Sequence, residues 1–259
     1  MPAVRRQDRD RCDLRVPVAP TECGDTRLGR MEKRVQVKIC GIRSERDLRV
    51  AVDAGPDAVG FICGITHLSE DALTPAAAKD LSAKVALLTT RAVTRVLVTH
   101  LEDAEAILKL AAFVEVDAIQ VHGLVDRDNL RKVYAGKDNR EVLRAVHVTD
   151  ESVFADVEDV VDYCDVILLD SRTPRRLGGT GRTHNWDISK KIVETQATRG
   201  KKVTLAGGLA HTNIDKAITL VQPYGVDVNT GVDDENGNKS ATLCAAFVEA
   251  ANPGEPVNP

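Results

Sequence analysis

A lysine and a cysteine two residues apart interrupt an apolar run, Val35-Gln36-Val37-Lys38-Ile39-Cys40-Gly41-Ile42. An ammonium beside a thiol favours the thiolate, which can serve as nucleophile or base. Alternation puts Val35, Val37 and Ile39 on one face and Lys38 and Cys40 on the other, as in a buried strand. The same residues also fit a small core cysteine next to a lysine whose stem is buried and whose head reaches water. Further polar groups stand where other apolar runs give way to loops: His122 before Gly123, Asp170 after Leu169, Gly207-Gly208, and Asp227 to Gly231. Asp227 suits either a substrate contact or an ion pair with Lys38, and His122 either proton transfer or a satisfied pocket histidine. Paired glycines at a strand end let backbone N–H groups approach an anion closely, although turns alone also call for them.

These groups need elements that bring them to one place, and the chain supplies a regular alternation of strand and helix. Strands are expected at 35–42, 57–63, 92–100, 118–123, 142–148, 165–171, 202–209 and 225–231. Between them lie helical patterns: one from Ser44 to Gly55 with a serine cap, one opened by Thr74-Pro75, and a last one from Ala241 to Asn252. Eight strand–helix pairs in strict order predict an α/β protein, a closed (β/α)8 TIM barrel over residues 34–252, with an open doubly wound sheet as the alternative. In such a barrel the second face of each strand looks inward, and the chemistry gathers at the carboxyl ends of the strands. The loops after the seventh and eighth strands, holding Gly207, Gly208, Asn229, Thr230 and Gly231, are the usual seat of a phosphate in this fold.

Composition narrows the function classes. The 259 residues are 43% hydrophobic and 29% charged, ordinary for a globular protein. A net charge of −4 argues against a nucleic-acid binder, and no apolar run approaches the roughly 18 residues of a membrane span. The six cysteines are scattered without a C-x-x-C pair, and the six histidines are dispersed. Reduced thiols in a cytoplasm and no metal site are expected. Residues 1–33 alternate arginine with aspartate and then carry prolines and glycines, without any periodic apolar face. A disordered extension, or a start at Met31, is the reading there, and residues 253–259 read as a flexible tail.

Six stretches together resemble one family. Lys38-Ile-Cys-Gly41, Gln120-Val-His-Gly123, Leu169-Asp-Ser171, Gly178-Gly-Thr-Gly181, Ala206-Gly-Gly-Leu209 and Val226-Asp-Val-Asn-Thr-Gly231 are similar, in order, to the motifs of phosphoribosylanthranilate isomerases. The resemblance implies an Amadori rearrangement in tryptophan biosynthesis, without a cofactor, on a small phosphoribosyl substrate. It implies Cys40 as general base and Asp170 as general acid, with Lys38, Gln120, His122, Arg182 and Asp227 around the substrate. It also implies a cytoplasmic enzyme, monomeric or homodimeric. Ring opening suits a carboxylic acid kept neutral by burial, and removal of the C2′ proton suits a thiolate favoured by Lys38.

One stretch departs from the pattern. Where the family carries an arginine that meets the anthranilate carboxylate, this chain has Asp71, with Glu70 beside it. Two carboxylates would repel a third, unless His67 or Arg182 meets it or the loop turns the acids to water. A paralogous isomerase acting on another phosphoribosylated amine, and a non-catalytic sugar-phosphate-binding barrel, are the alternatives. Retention of Cys40 and Asp170 speaks against the last.

Overall fold

Eight strands alternate with eight helices in the structure, a computed structural model that describes residues 34–66, 70–173, 176–177 and 183–254. The strands are β1 Gln36–Ile39, β2 Ala58–Ile62, β3 Thr94–Thr99, β4 Ala118–Val121, β5 Glu141–Val148, β6 Val166–Thr173, β7 Lys202–Leu205 and β8 Gly225–Val228. The helices are α1 Glu45–Asp53, α2 Pro75–Leu88, α3 Ala104–Val114, α4 Arg127–Ala135, α5 Val153–Val160, α6 Trp186–Ala197, α7 Ile214–Val221 and α8 Ala241–Ala251. A two-residue strand, Arg176–Leu177, pairs antiparallel with the end of β6. The expectations placed on residues 1–33, His67, Ser69, the 178–181 loop, Arg182 and residues 255–259 lie outside the described residues.

Helix starts follow local chemistry. Ser44 accepts a hydrogen bond from the Asp47 amide at 3.1 Å, and Thr74 accepts one from Ala77 at 3.2 Å with Pro75 as the first helical residue. Asp103 and Asp126 cap α3 and α4 in the same way. Each cap satisfies an amide that the helix itself leaves unbonded.

Every strand of the barrel pairs parallel with its neighbours in chain order, and β8 pairs back onto β1. The sheet is therefore closed, and the open-sheet alternative is overturned. Closure sets Lys38 opposite Asp227 on β1 and β8, and His147 opposite Asp170 on β5 and β6. Two apolar layers result. Val37, Ile39, Leu97, Ile119 and Ile167 face the helices, while Cys40, Val96, Val98, Ala118, Leu143 and Val166 pack inside the barrel. Strand alternation alone produces this division.

The seventh and eighth strands end earlier than the sequence pattern suggests. β7 stops at Leu205 because Gly207 and Gly208 have φ of +83° and +68°, which no parallel ladder accommodates. β8 gives way to a 3₁₀ turn at Thr230–Val232. No helix among the described residues is long and apolar enough to cross a membrane.

Candidate active site

The carboxyl ends of the strands enclose a cavity of about 150 Å³. Cys40, Gln120, His122, Asp170, Gly207, Gly208, Asp227, Asn229, Thr230 and Gly231 all line it, so the residues singled out from the sequence converge. Lys38 lies below, at the bottom of the mouth, and is buried.

On the β1 side, the Lys38 ammonium donates to Asp227 Oδ2 at 2.8 Å and to Gln120 Oε1 at 3.0 Å. Burial pushes the ammonium down, but Asp227 and Cys40 more than reverse this and hold it above its ordinary value. The ion-pair reading of Asp227 holds. Its Oδ2 pairs with Lys38, and its buried Oδ1 has no hydrogen-bond partner among the described residues. Gly60 on β2 clears the space above: a Cβ there would lie 2.7 Å from the Cys40 sulfur.

Lys38 does not carry Cys40 as far as the sequence reading expected. Burial pushes the thiol up to about 11, and the nearby lysine recovers only part of that. Cys40 is therefore a protonated thiol, because loss of hydration outweighs one ammonium that is already paired to Asp227.

The β6 side has the opposite balance. Asp170 Oδ1 accepts from the Ser171 amide at 2.7 Å, and Oδ2 lies 3.3 Å from His122 Nε2. Burial pushes this carboxyl up, but the His122 hydrogen bond, the two neighbouring histidines and the Ser171 amide carry it below its ordinary value. The expectation of a carboxyl held neutral by burial is thus corrected, since the hydrogen-bond donors outweigh desolvation. His122 itself is stacked on His100, with ring centroids 5.0 Å apart, and meets His147 edge-on at 5.2 Å. His122, His147 and Asp170 offer metal-ligand atoms within 4.8 Å of one another, yet His122 and Asp170 already face each other at hydrogen-bonding distance.

The two glycine loops meet at the third side of the mouth. A Cβ on Gly231 would fall 1.9 Å from the Leu209 carbonyl oxygen, so the loops after β7 and β8 approach backbone to backbone. The Asn229 side chain braces this corner. Its amide donates to Asp71 Oδ2 at 2.9 Å, and its Oδ1 accepts from Lys239 at 2.9 Å.

Comparison with known proteins turns this geometry into a family assignment. The model of the family described as N-(5'phosphoribosyl)anthranilate (PRA) isomerase matches residues 37–250. The chain belongs to the PRA isomerase family. A curated PRA isomerase of Natronomonas pharaonis is 38% identical over 216 residues, covering 83% of this chain and 97% of the relative. One from Moorella thermoacetica is 38% identical over 223 residues, covering 85% and 91%. Among solved structures, the PRA isomerase of Thermotoga maritima superposes with a TM-score of 0.72 at 32% identity, covering 84% of this chain and 98% of that one. Another PRA isomerase, in complex with reduced 1-(o-carboxyphenylamino)-1-deoxyribulose 5-phosphate, gives 0.68 at 29% identity, covering 84% and 98%.

The Asp71 carboxylate is accommodated locally. Asp71 stays at the mouth with its carboxylate on Asn229 and 3.7 Å from the Arg43 guanidinium, while Glu70 turns to solvent. Arg43, in the loop after β1, offsets the charge that Asp71 introduces. Sequence reasoning missed His100, His147 and Lys239. The two histidines share inward parity with Val98 and Ala145, so counting by twos along β3 and β5 finds them. Lys239 sits in a loop with no such period, although it is 1% exposed and binds Asn229 and Asp233.

Proposed function

We infer that this PRA isomerase family member converts N-(5-phosphoribosyl)anthranilate to 1-(2-carboxyphenylamino)-1-deoxyribulose 5-phosphate, a cofactor-independent step of tryptophan biosynthesis. The observation that carries this reading is the convergence of Cys40, Asp170 and both glycine loops on one cavity in a chain of this family. Asp170 gives a proton to the ring oxygen as the C1′–O4′ bond breaks, and the anilino nitrogen lone pair forms the C=N bond. Cys40 then takes the C2′ proton, the C2′–H bonding pair forms the C1′–C2′ double bond as the C=N π pair returns to nitrogen, and tautomerisation of the resulting enol leaves a C2′ ketone. No electrons leave the substrate, so no redox partner is required. The positive iminium made in the first step favours the thiolate needed in the second.

The remaining roles follow from what each group has left to offer. Asp227 Oδ1 accepts from a sugar hydroxyl, since its other oxygen is held by Lys38. Backbone N–H groups of Gly207, Gly208, Thr230 and Gly231 receive the phosphate, while Asn229 braces their loop. The enzyme acts on this small molecule in the cytoplasm, as a monomer or homodimer.

Asp71 favours a second reading, a paralogue whose phosphoribosylated amine lacks the carboxylate. Rescue of a tryptophan auxotroph lacking this isomerase separates the two. Growth without tryptophan, lost on Asp170→Ala, supports the first; absence of rescue by well-expressed soluble protein would favour the paralogue.

A further inference from the structure

Gln120, on β4, is 2% exposed, and both ends of its amide are engaged within the protein. Lysine has only donors to offer, so the atom 3.0 Å from Lys38 Nζ is the amide oxygen. The amide nitrogen must then face His122 Nδ1, at 3.1 Å. An amide N–H can only donate, so Nδ1 presents its lone pair and the ring proton sits on Nε2. That proton points at Asp170 Oδ2, 3.3 Å away. Lys38 thus dictates the orientation of Gln120, and Gln120 the tautomer of His122. A metal at His122, His147 and Asp170 would require the opposite arrangement, with a bare Nε2 and an acceptor at Nδ1.

Resting on the isomerase reading, we propose that Gln120 is a positioning residue, not a substrate contact: it locks the His122 tautomer that aims an N–H at Asp170, and ties that lock to the lysine beside Cys40. Cys40 directly follows β1 and Asp170 lies on β6, and Gln120 is hydrogen-bonded to a neighbour of each. Without it, the His122 ring is free to turn a lone pair towards the Asp170 carboxylate, which repels it. The orienting carboxylate of a serine-protease triad acts on its histidine in this way, and its loss leaves the wrong tautomer.

The decisive experiment combines NMR with kinetics. In the ligand-free protein, the ¹⁵N shifts of the His122 ring should show Nε2 protonated and Nδ1 bare. Gln120→Glu, which offers Nδ1 an acceptor, should place a proton on Nδ1. Gln120→Leu should lower kcat about 10- to 100-fold with KM changed less than about threefold, less than the roughly 10²–10⁴ that a general acid itself contributes, because Gln120 acts only through His122. Combined with His122→Asn, it should cost little more than His122→Asn alone, since the two act in series. A protonated Nδ1 in the wild type, full kcat in a folded Gln120→Leu, or additive losses in the double variant would overturn the proposal. The ¹⁵N measurement needs no substrate, so it stands even where the wild type fails to turn over phosphoribosylanthranilate and the isomerase reading itself falls.

Discussion

Cys40 stands in a narrow space cleared by Gly60, with one lysine that is already paired to Asp227, whereas Asp170 stands among His122, His147 and a backbone amide. Both are buried, and burial pushes both upward. The difference lies in what answers it. One shared ammonium leaves Cys40 at about 11, while several donors aimed at Asp170 bring it below its ordinary value. The free protein therefore keeps its proton on the proposed base and off the proposed acid. Turnover draws on the minority form in which the two have exchanged.

The largest expected effect removes either side altogether. Cys40→Ala and Asp170→Asn should each lower kcat by roughly 10²–10⁴-fold, with affinity for a reduced product analogue nearly unchanged because the phosphate loops are untouched. Steady-state kinetics alongside calorimetric binding checks this. More than a tenth of the wild-type rate in Cys40→Ala would remove the thiol from the mechanism.

Lys38 sharpens the comparison from the stability side. It and Asp227 form a buried ion pair at 2.8 Å. Lys38→Met strands a buried carboxylate, and breaking such a pair costs about 3–5 kcal/mol. Urea unfolding should show that loss, with at least half recovered in Lys38→Met/Asp227→Asn, where no charge is left uncompensated. Equal stability of the single and double variants would mean that the pair is not coupled.

The inverted protonation has a signature in pH. Between the depressed Asp170 value and about 11 for Cys40, each pH unit removes tenfold of the protonated carboxyl and adds tenfold of the thiolate. Their product is constant, so kcat/KM should be flat from about pH 7 to 10. It should fall above Cys40's value, where the thiolate saturates while protonated Asp170 keeps declining. It should also fall in acid, where Asp170 saturates while the thiolate declines, overlaid by substrate phosphate ionisation near about pH 6. A bell centred near neutrality would show instead that the two groups rest in their working forms.

The smallest effect is expected at the mouth. Asp71 is held by Asn229 and offset by Arg43, so Asp71→Arg would set two guanidinium groups together. We expect kcat/KM for phosphoribosylanthranilate to rise less than tenfold, although a new charge-assisted bond worth about 1.5–3 kcal/mol would raise it more. A larger gain from a nearly inactive wild type would make the paralogue the better reading.

Local periodicity carried much of this protein. Alternation along β1 separates Val37 and Ile39 from Lys38 and Cys40, and caps at Ser44 and Thr74 start their helices, because both depend only on residues a few positions apart. The glycine pair at 207–208 and the aspartate on β6, Asp170, are legible for the same reason. Closure was not: the pairing of β8 with β1, which sets Asp227 against Lys38, joins segments nearly the whole barrel apart in sequence. Nor were the protonation states, because each is a difference between burial and charges that arrive from other strands. His147 reaches Asp170 only through the β5–β6 register, and Arg43 reaches Asp71 only because two loops fold over the same mouth. Sequence period decides which face a side chain takes; the closed sheet decides what it meets there, and that meeting determines where the protons reside.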